Sequence, residues 1–161
     1  MKSLKKAPLL GAVAVCVLIA LFGAALVGEA LGGWYEGLEK PWFLVPLWVF
    51  YIVGTLYYVA FAAVLYRVLV RVEDRRGRII CLALTLCVML SNELWNYLFF
   101  GLRSTLAGFV GIALFLVPLS ALVIALYRHE RPSAMIVAPY YLWVLYDLLW
   151  TYALWRINGS A

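Results

Sequence analysis

Charge is scarce in this chain. Asp, Glu, Lys and Arg together make up 13% of its 161 residues, against about 25% in an ordinary soluble domain. With so little polar side chain, a soluble fold of this size cannot cover its surface. Histidine occurs once, as His129 in a short basic stretch. The three cysteines, Cys16, Cys81 and Cys87, fall inside apolar runs. Their spacing suits neither a zinc site nor a disulfide framework, which leaves packing as their default role. No histidine is placed to serve as base for a Ser or Cys nucleophile, and no Gly-rich loop is shaped to cradle phosphates. Nucleophilic catalysis and nucleotide hydrolysis are therefore excluded. Internal repeats, low-complexity tracts and long linkers are also missing.

What is present is hydrocarbon. Hydrophobic residues account for 67% of the chain, against roughly 45–50% usually. They gather in runs at about 8–27, 45–70, 79–100, 105–127 and 133–155. Each run reaches the about 20 residues that a membrane-crossing helix needs, and none shows the alternation of a β-barrel strand. The expected fold is an all-α integral membrane protein, a single bundle of five transmembrane helices over residues 1–161, with a longer loop at 28–44. The first run follows Lys2, Lys5 and Lys6 as a signal peptide would. It is longer than an h-region of about 7–15 residues, so it is expected to stay as a helix.

Basic residues set the expected orientation. Lys2, Lys5, Lys6, Arg67, Arg71, Arg75, Arg76, Arg78, Arg128 and Arg131 fall on one side, and Lys40, Arg103 and Arg156 on the other, ten against three. The positive-inside bias predicts a cytoplasmic N-terminus, with the 28–44 loop and the C-terminus opposite. The net charge of +5 is scattered over juxtamembrane loops, so nucleic acid is not an expected partner.

Seven Trp and eleven Tyr exceed what an interfacial belt needs. Trp34, Trp42, Trp48 and Trp155 fall near helix ends, where belts occur, whereas Trp95, Trp143 and Trp150 lie deeper. In the third run, SNELWNYLFFG, helical spacing puts Asn92, Trp95, Asn96 and Phe99 on one face, to bond neighbouring helices or to line a cavity. Glu93 points roughly 100° away from Asn92 and needs a partner or a proton. In the fifth run, Trp143 and Asp147 share a surface, with Trp150 and Thr151 one turn on. An aspartate at mid-span costs roughly 2.5–3.5 kcal/mol on insertion scales, so Asp147 is expected to face the interior, paired, hydrated or protonated. Pro139 removes a backbone donor about one turn into this helix and is expected to kink it.

These residues form a pattern. WYEGLEKP (Trp34 to Pro41) is followed by Pro46, Trp48, Val49 and Phe50. Asn92, Trp95 and Phe99-Phe100-Gly101 come next, then Pro139-Tyr140, Trp143, Trp155-Arg156 and Asn158. Their order and spacing from about residue 34 to 158 resemble the TspO/translocator protein family, also called tryptophan-rich sensory proteins or peripheral-type benzodiazepine receptors. The resemblance implies a five-helix bundle, commonly a homodimer, with a pocket beneath a lid formed by the first loop. It implies binding of protoporphyrin and related tetrapyrroles, of sterols such as cholesterol, or of benzodiazepine-site ligands, in their sensing or transport. No cofactor is required, although a porphyrin or haem-type molecule is a candidate ligand. The candidate binding residues are Trp34 in the lid, Trp48, Phe50, Asn92, Trp95, Trp143 and Asp147. A permissive sterol-contact pattern also fits Leu149, Tyr152 and Arg156.

Departures from the family qualify this. Where the family continues the second helix with Gly-Pro-Val-Trp-Thr, this chain has Tyr51-Ile52-Val53-Gly54-Thr55, so a proline and a pocket Trp are missing. Light-dependent tetrapyrrole breakdown, credited to some bacterial members, relies on that Trp and is not assigned here. Asp147 replaces a small residue and Thr151 an Asn, which is expected to favour a cationic or hydrogen-bonding ligand over an entirely apolar one. Three functions follow as hypotheses: a ligand-binding membrane protein, a porphyrin-degrading enzyme, or a small proton-coupled transporter using Asp147 and Glu93.

Overall fold

The structure is a computed structural model that describes residues 5–159; Lys2, counted above for orientation, lies outside them. Five helices, α1 (Lys6–Val27), α2 (Leu47–Arg71), α3 (Arg75–Asn96), α4 (Thr105–His129) and α5 (Arg131–Asn158), account for most of it, and the described residues contain no strand. All five are long and apolar enough to cross a membrane. Even the shortest, at 22 residues, rises about 33 Å, enough for a hydrocarbon core of about 30 Å.

The helices run past the apolar segments because polar caps hold their ends. Asp74 accepts from the backbone N–H of Gly77 at 2.6 Å, which brings Arg75, Arg76 and Arg78 into α3. Ser104 accepts from Ala107 at 3.2 Å to start α4, and Glu130 accepts from Ser133 at 2.8 Å to start α5. Such side-chain acceptors satisfy N–H groups that the first turn leaves unpaired. Hydropathy marks only the part of a helix inside hydrocarbon, so it misses these interfacial turns. The α5 helix continues through Pro139 to Asn158.

The 28–44 segment differs from expectation. Residues Gly28–Ala30 and Leu31–Tyr35 continue α1 as a tight turn and a wide one, so Trp34 and Tyr35 are helical and the loop proper is 36–46. The cause is a C-terminal cap. Lys40 Nζ donates to the carbonyls of Tyr35, Glu36 and Leu38, each at 3.0 Å, where unpaired carbonyls and the helix dipole favour a cation.

Buried residues follow helical spacing, as with Tyr57, Phe61, Val64, Leu65 and Val68 on α2. Outward residues are just as apolar: Leu18, Leu21, Leu114, Val117 and Leu142 are 64–68% exposed. A bundle with a greasy exterior requires a bilayer as its solvent. The chain is a multi-pass integral membrane protein. Several glycines permit close contacts between elements, two of them next to the interior polar and aromatic groups. A Cβ on Gly108 would strike the Phe99 ring, and one on Gly23 of α1 would strike the Glu93 carboxyl of α3.

Candidate functional site

Near the loop end of the bundle, α2, α3 and α5 part around a cavity of about 210 Å³. Tyr140, Trp143, Asp147 and Trp150 of α5 form one wall; Asn92, Trp95 and Asn96 of α3 form a second. Phe50, Gly54 and Tyr57 supply the α2 side, and Leu31, Tyr35 and Phe100 close the end beneath the loop. Leu47 and Tyr51 also line the cavity while remaining 39% and 61% exposed, so they mark its open edge. A Cβ added at Gly54 would meet nothing within 4 Å. The gap lies where the family pattern carries a Trp.

The aromatic walls meet edge to face, the arrangement the ring quadrupole prefers. Phe50 lies 5.4 Å from Trp143 at 78° and 5.6 Å from Trp150 at 82°. Trp95 lies 6.3 Å from Trp150 at 86° and stacks on Phe99 at 5.4 Å. Its indole is anchored by a 2.9 Å hydrogen bond from Nε1 to the Gly108 carbonyl, and a Cβ on Gly111, one turn along, would press on the same ring at 3.2 Å.

Polar groups behind the walls are joined. Tyr140 donates its hydroxyl to Asn92 Oδ1 at 2.9 Å, and Asn92 Nδ2 donates to Glu93 Oε1 at 3.2 Å. Glu93 also accepts from the Tyr58 hydroxyl at 2.7 Å and from Asn96 Nδ2 at 2.8 Å. Fully buried, and not itself lining the cavity, Glu93 orients the two amides that do. Asp147 differs: it lines the cavity, and its Oδ1 accepts from Trp150 Nε1 at 2.7 Å. Tyr57, also in the lining, has a buried hydroxyl with no partner. Among the described residues no three His, Cys, Asp or Glu side chains come together to hold a metal.

The loop is tied across this end. The Glu39 N–H donates to Asn158 Oδ1 and Asn158 Nδ2 donates back to the Glu39 carbonyl, both at 2.9 Å. The Val45 N–H donates to the Tyr146 hydroxyl at 3.0 Å, and that hydroxyl donates to the Phe43 carbonyl at 3.3 Å.

Of the residues singled out in the sequence, Phe50, Asn92, Trp95, Trp143 and Asp147 surround the cavity. Trp34 does not line it but packs edge-on against Phe99 at 5.3 Å. Trp48 lies outside it, 61% exposed on the outer surface, because it is two positions along α2 from Phe50, about 200° around a helix. Leu149 and Tyr152, 62% and 47% exposed, and the exposed Arg156 lie on the outer face of α5, with Arg156 over the Trp155 ring at 5.9 Å. The sterol-contact pattern thus addresses the lipid side. Tyr57, Tyr58 and the cap residue Lys40 escaped sequence reasoning; the i, i+4 pair of Tyr57 and Phe61 was the available signal.

The TspO/MBR family model matches residues 12–156. The chain belongs to this family. It is similar to the tryptophan-rich protein TspO of Archaeoglobus fulgidus, 29% identical over 151 residues, 94% of this chain and 97% of the relative. The tryptophan-rich sensory protein of Cereibacter sphaeroides is 28% identical over 131 residues, covering 81% of this chain and 78% of the relative. The human translocator protein is 29% identical over 141 residues, with the same shares. A TspO/MBR member with these relatives is a membrane protein of the receptor and sensor kind.

Proposed function

We propose that the cavity is the ligand site, and that the protein binds flat hydrophobic molecules, tetrapyrroles or sterol-like lipids, in their sensing or transport. The observation that carries this is the box of edge-to-face aromatic rings beneath a tied loop. Apolar walls with few polar anchors suit a planar ligand held by stacking. At about 210 Å³ the cavity is smaller than the roughly 300–1,000 Å³ of drug-sized sites. A tetrapyrrole therefore needs the 36–46 loop to open or the open edge at Gly54 to admit part of the ring. The same reading keeps the N-terminus cytoplasmic, the loop opposite, and the protein a homodimer.

Titration of the purified protein with protoporphyrin, followed by quenching of Trp emission, tests the assignment. Phe50→Ala and Trp143→Ala are expected to weaken binding about tenfold or more, as truncation of buried aromatic anchors does, and Trp48→Ala to leave it unchanged. Equal effects from Trp48→Ala and Trp143→Ala would remove the cavity from consideration.

A further inference from the structure

The cavity contains one ionisable carboxyl and no counter-charge. Its lining includes Asp147 but no Lys, Arg or His, and the one ion pair among the described residues, Arg67 with Glu130, involves neither lining residue nor Asp147. At full hydrogen-bond geometry Asp147 takes one bond on its carboxyl, from the neutral indole of Trp150 to Oδ1, and the indole N–H of Trp143 is the next donor beside it; both are neutral. Holding that indole needs only an acceptor, which Asn supplies without the cost of an acid in hydrocarbon. Neutral indole donors therefore require an acceptor here but not an ionisable acid.

Its surroundings say what would complete it. Trp143 and Trp150 stand on the same helix wall as Asp147, Phe50 faces both at 5.4 and 5.6 Å, and Trp95 lies 6.3 Å from Trp150. The negative face of an aromatic ring attracts cations, and several rings set around one position form the cage used to recognise alkylated ammonium groups. An acid among such rings adds a charge-assisted partner. An ammonium and a carboxyl are jointly neutral whichever holds the proton, so the pair enters the membrane interior more cheaply than either alone.

We infer that this site selects organic cations, hydrophobic molecules carrying an ammonium or other cationic nitrogen that sits on Asp147 among Trp143, Trp150 and Phe50. The inference rests on the cavity being a ligand site and names the class it prefers. Neutral flat molecules occupy the aromatic box without using Asp147, and a carboxylate directed at Asp147 is rejected.

Three probes sharing one pyrene body separate these cases: 1-pyrenemethylamine, 1-pyrenemethanol and 1-pyrenecarboxylate, each titrated by energy transfer from Trp in neutral detergent micelles. The wild-type order is expected to be amine, then alcohol, then carboxylate. Asp147→Asn, which keeps an acceptor for Trp150, is expected to weaken the amine about tenfold or more, since hydrogen bonds to charged groups contribute about 1.5–3 kcal/mol. The alcohol is expected to change by less than about threefold, and the carboxylate to bind more tightly. Because each comparison is made within one probe, partition into the micelle cancels. If the alcohol binds and depends on Phe50 but Asp147→Asn alters amine and alcohol alike, the cation preference is wrong and the ligand site stands. If no probe binds the wild type, or if binding is indifferent to Phe50→Ala, both fall.

Discussion

A single methyl group at Gly23 tests whether Glu93 is the internal support of the α3 wall. A Cβ there would overlap Glu93 Oε2 and stand 2.7 Å from Cδ and 3.2 Å from Oε1. The carboxyl cannot remain in place, and moving it breaks or stretches the bond from Asn96 at 2.8 Å and that from Tyr58 at 2.7 Å. Overpacking costs about 1–3 kcal/mol, and a lost hydrogen bond to a charged or buried group about as much again. Gly23→Ala is thus expected to cost roughly 2–5 kcal/mol, a large share of a typical stability of about 5–15 kcal/mol. The sign reverses once the obstruction is removed. In a Glu93→Ala background the new methyl meets no carboxyl, and Ala exceeds Gly in helix propensity by about 1 kcal/mol. Gly23→Ala should then be neutral or stabilising. Four proteins, wild type, both single variants and the double, unfolded in micelles by heat or by denaturant, give the coupling as a double-mutant cycle. If Gly23→Ala destabilises equally with and without Glu93, the methyl acts elsewhere and Glu93 is not the support.

Two further outcomes follow from the ends of the bundle. Asn158→Ala removes both hydrogen bonds to Glu39, and with about 0.5–1.5 kcal/mol for each, exchange of the Glu39 amide is expected to quicken about tenfold and protoporphyrin to dissociate faster; unchanged exchange refutes the tie. At the other end Glu130 accepts from Arg67 Nη2 at 2.7 Å and Nε at 3.2 Å. Burial alone pushes its carboxyl up, but Arg67 and Ser133 more than offset that and hold it below its ordinary value. A lowered folded pKa contributes stability above the unfolded pKa, and the contribution is lost as pH falls through the folded one. Arg67→Ala is therefore expected to cost about 1–3 kcal/mol at neutral pH and to converge with wild type as pH falls below the ordinary glutamate range and through the lowered pKa of the folded state. A pH-independent difference would assign the effect to packing.

The spans were legible because crossing hydrocarbon demands long uninterrupted apolar runs, and those are visible without any knowledge of packing. The faces were not. On α1 the buried Ala12, Cys16 and Gly23 are surrounded by exposed Leu18, Leu21 and Phe22, and lipid rewards both sides of a helix alike. A soluble helix announces its core by contrast with a polar face, and here that contrast is missing. The same loss explains Trp48. Trp48 and Phe50 are neighbours in a linear motif, whereas the 100° step of a helix forbids two residues so spaced from sharing a wall.

Polar residues inside the spans behaved oppositely. Asn92, Glu93, Asn96 and Asp147 are the groups that lipid penalises, and every one of them lies at the cavity or holds a residue that does. Their sequence positions therefore located the interior better than any apolar periodicity. What remained hidden was the division of labour between the two acids. Glu93 and Asp147 are both mid-helix carboxyls, yet three donors from Tyr58, Asn92 and Asn96 occupy one, while only the indoles of its own helix serve the other. Only the fold reveals that difference, since two of Glu93's donors are helical neighbours but the third comes from α2. The fully occupied acid supports the wall and the other lines the cavity, which is why substitution at Glu93 is expected to appear in stability and, if the cavity is the proposed ligand site, substitution at Asp147 in selectivity.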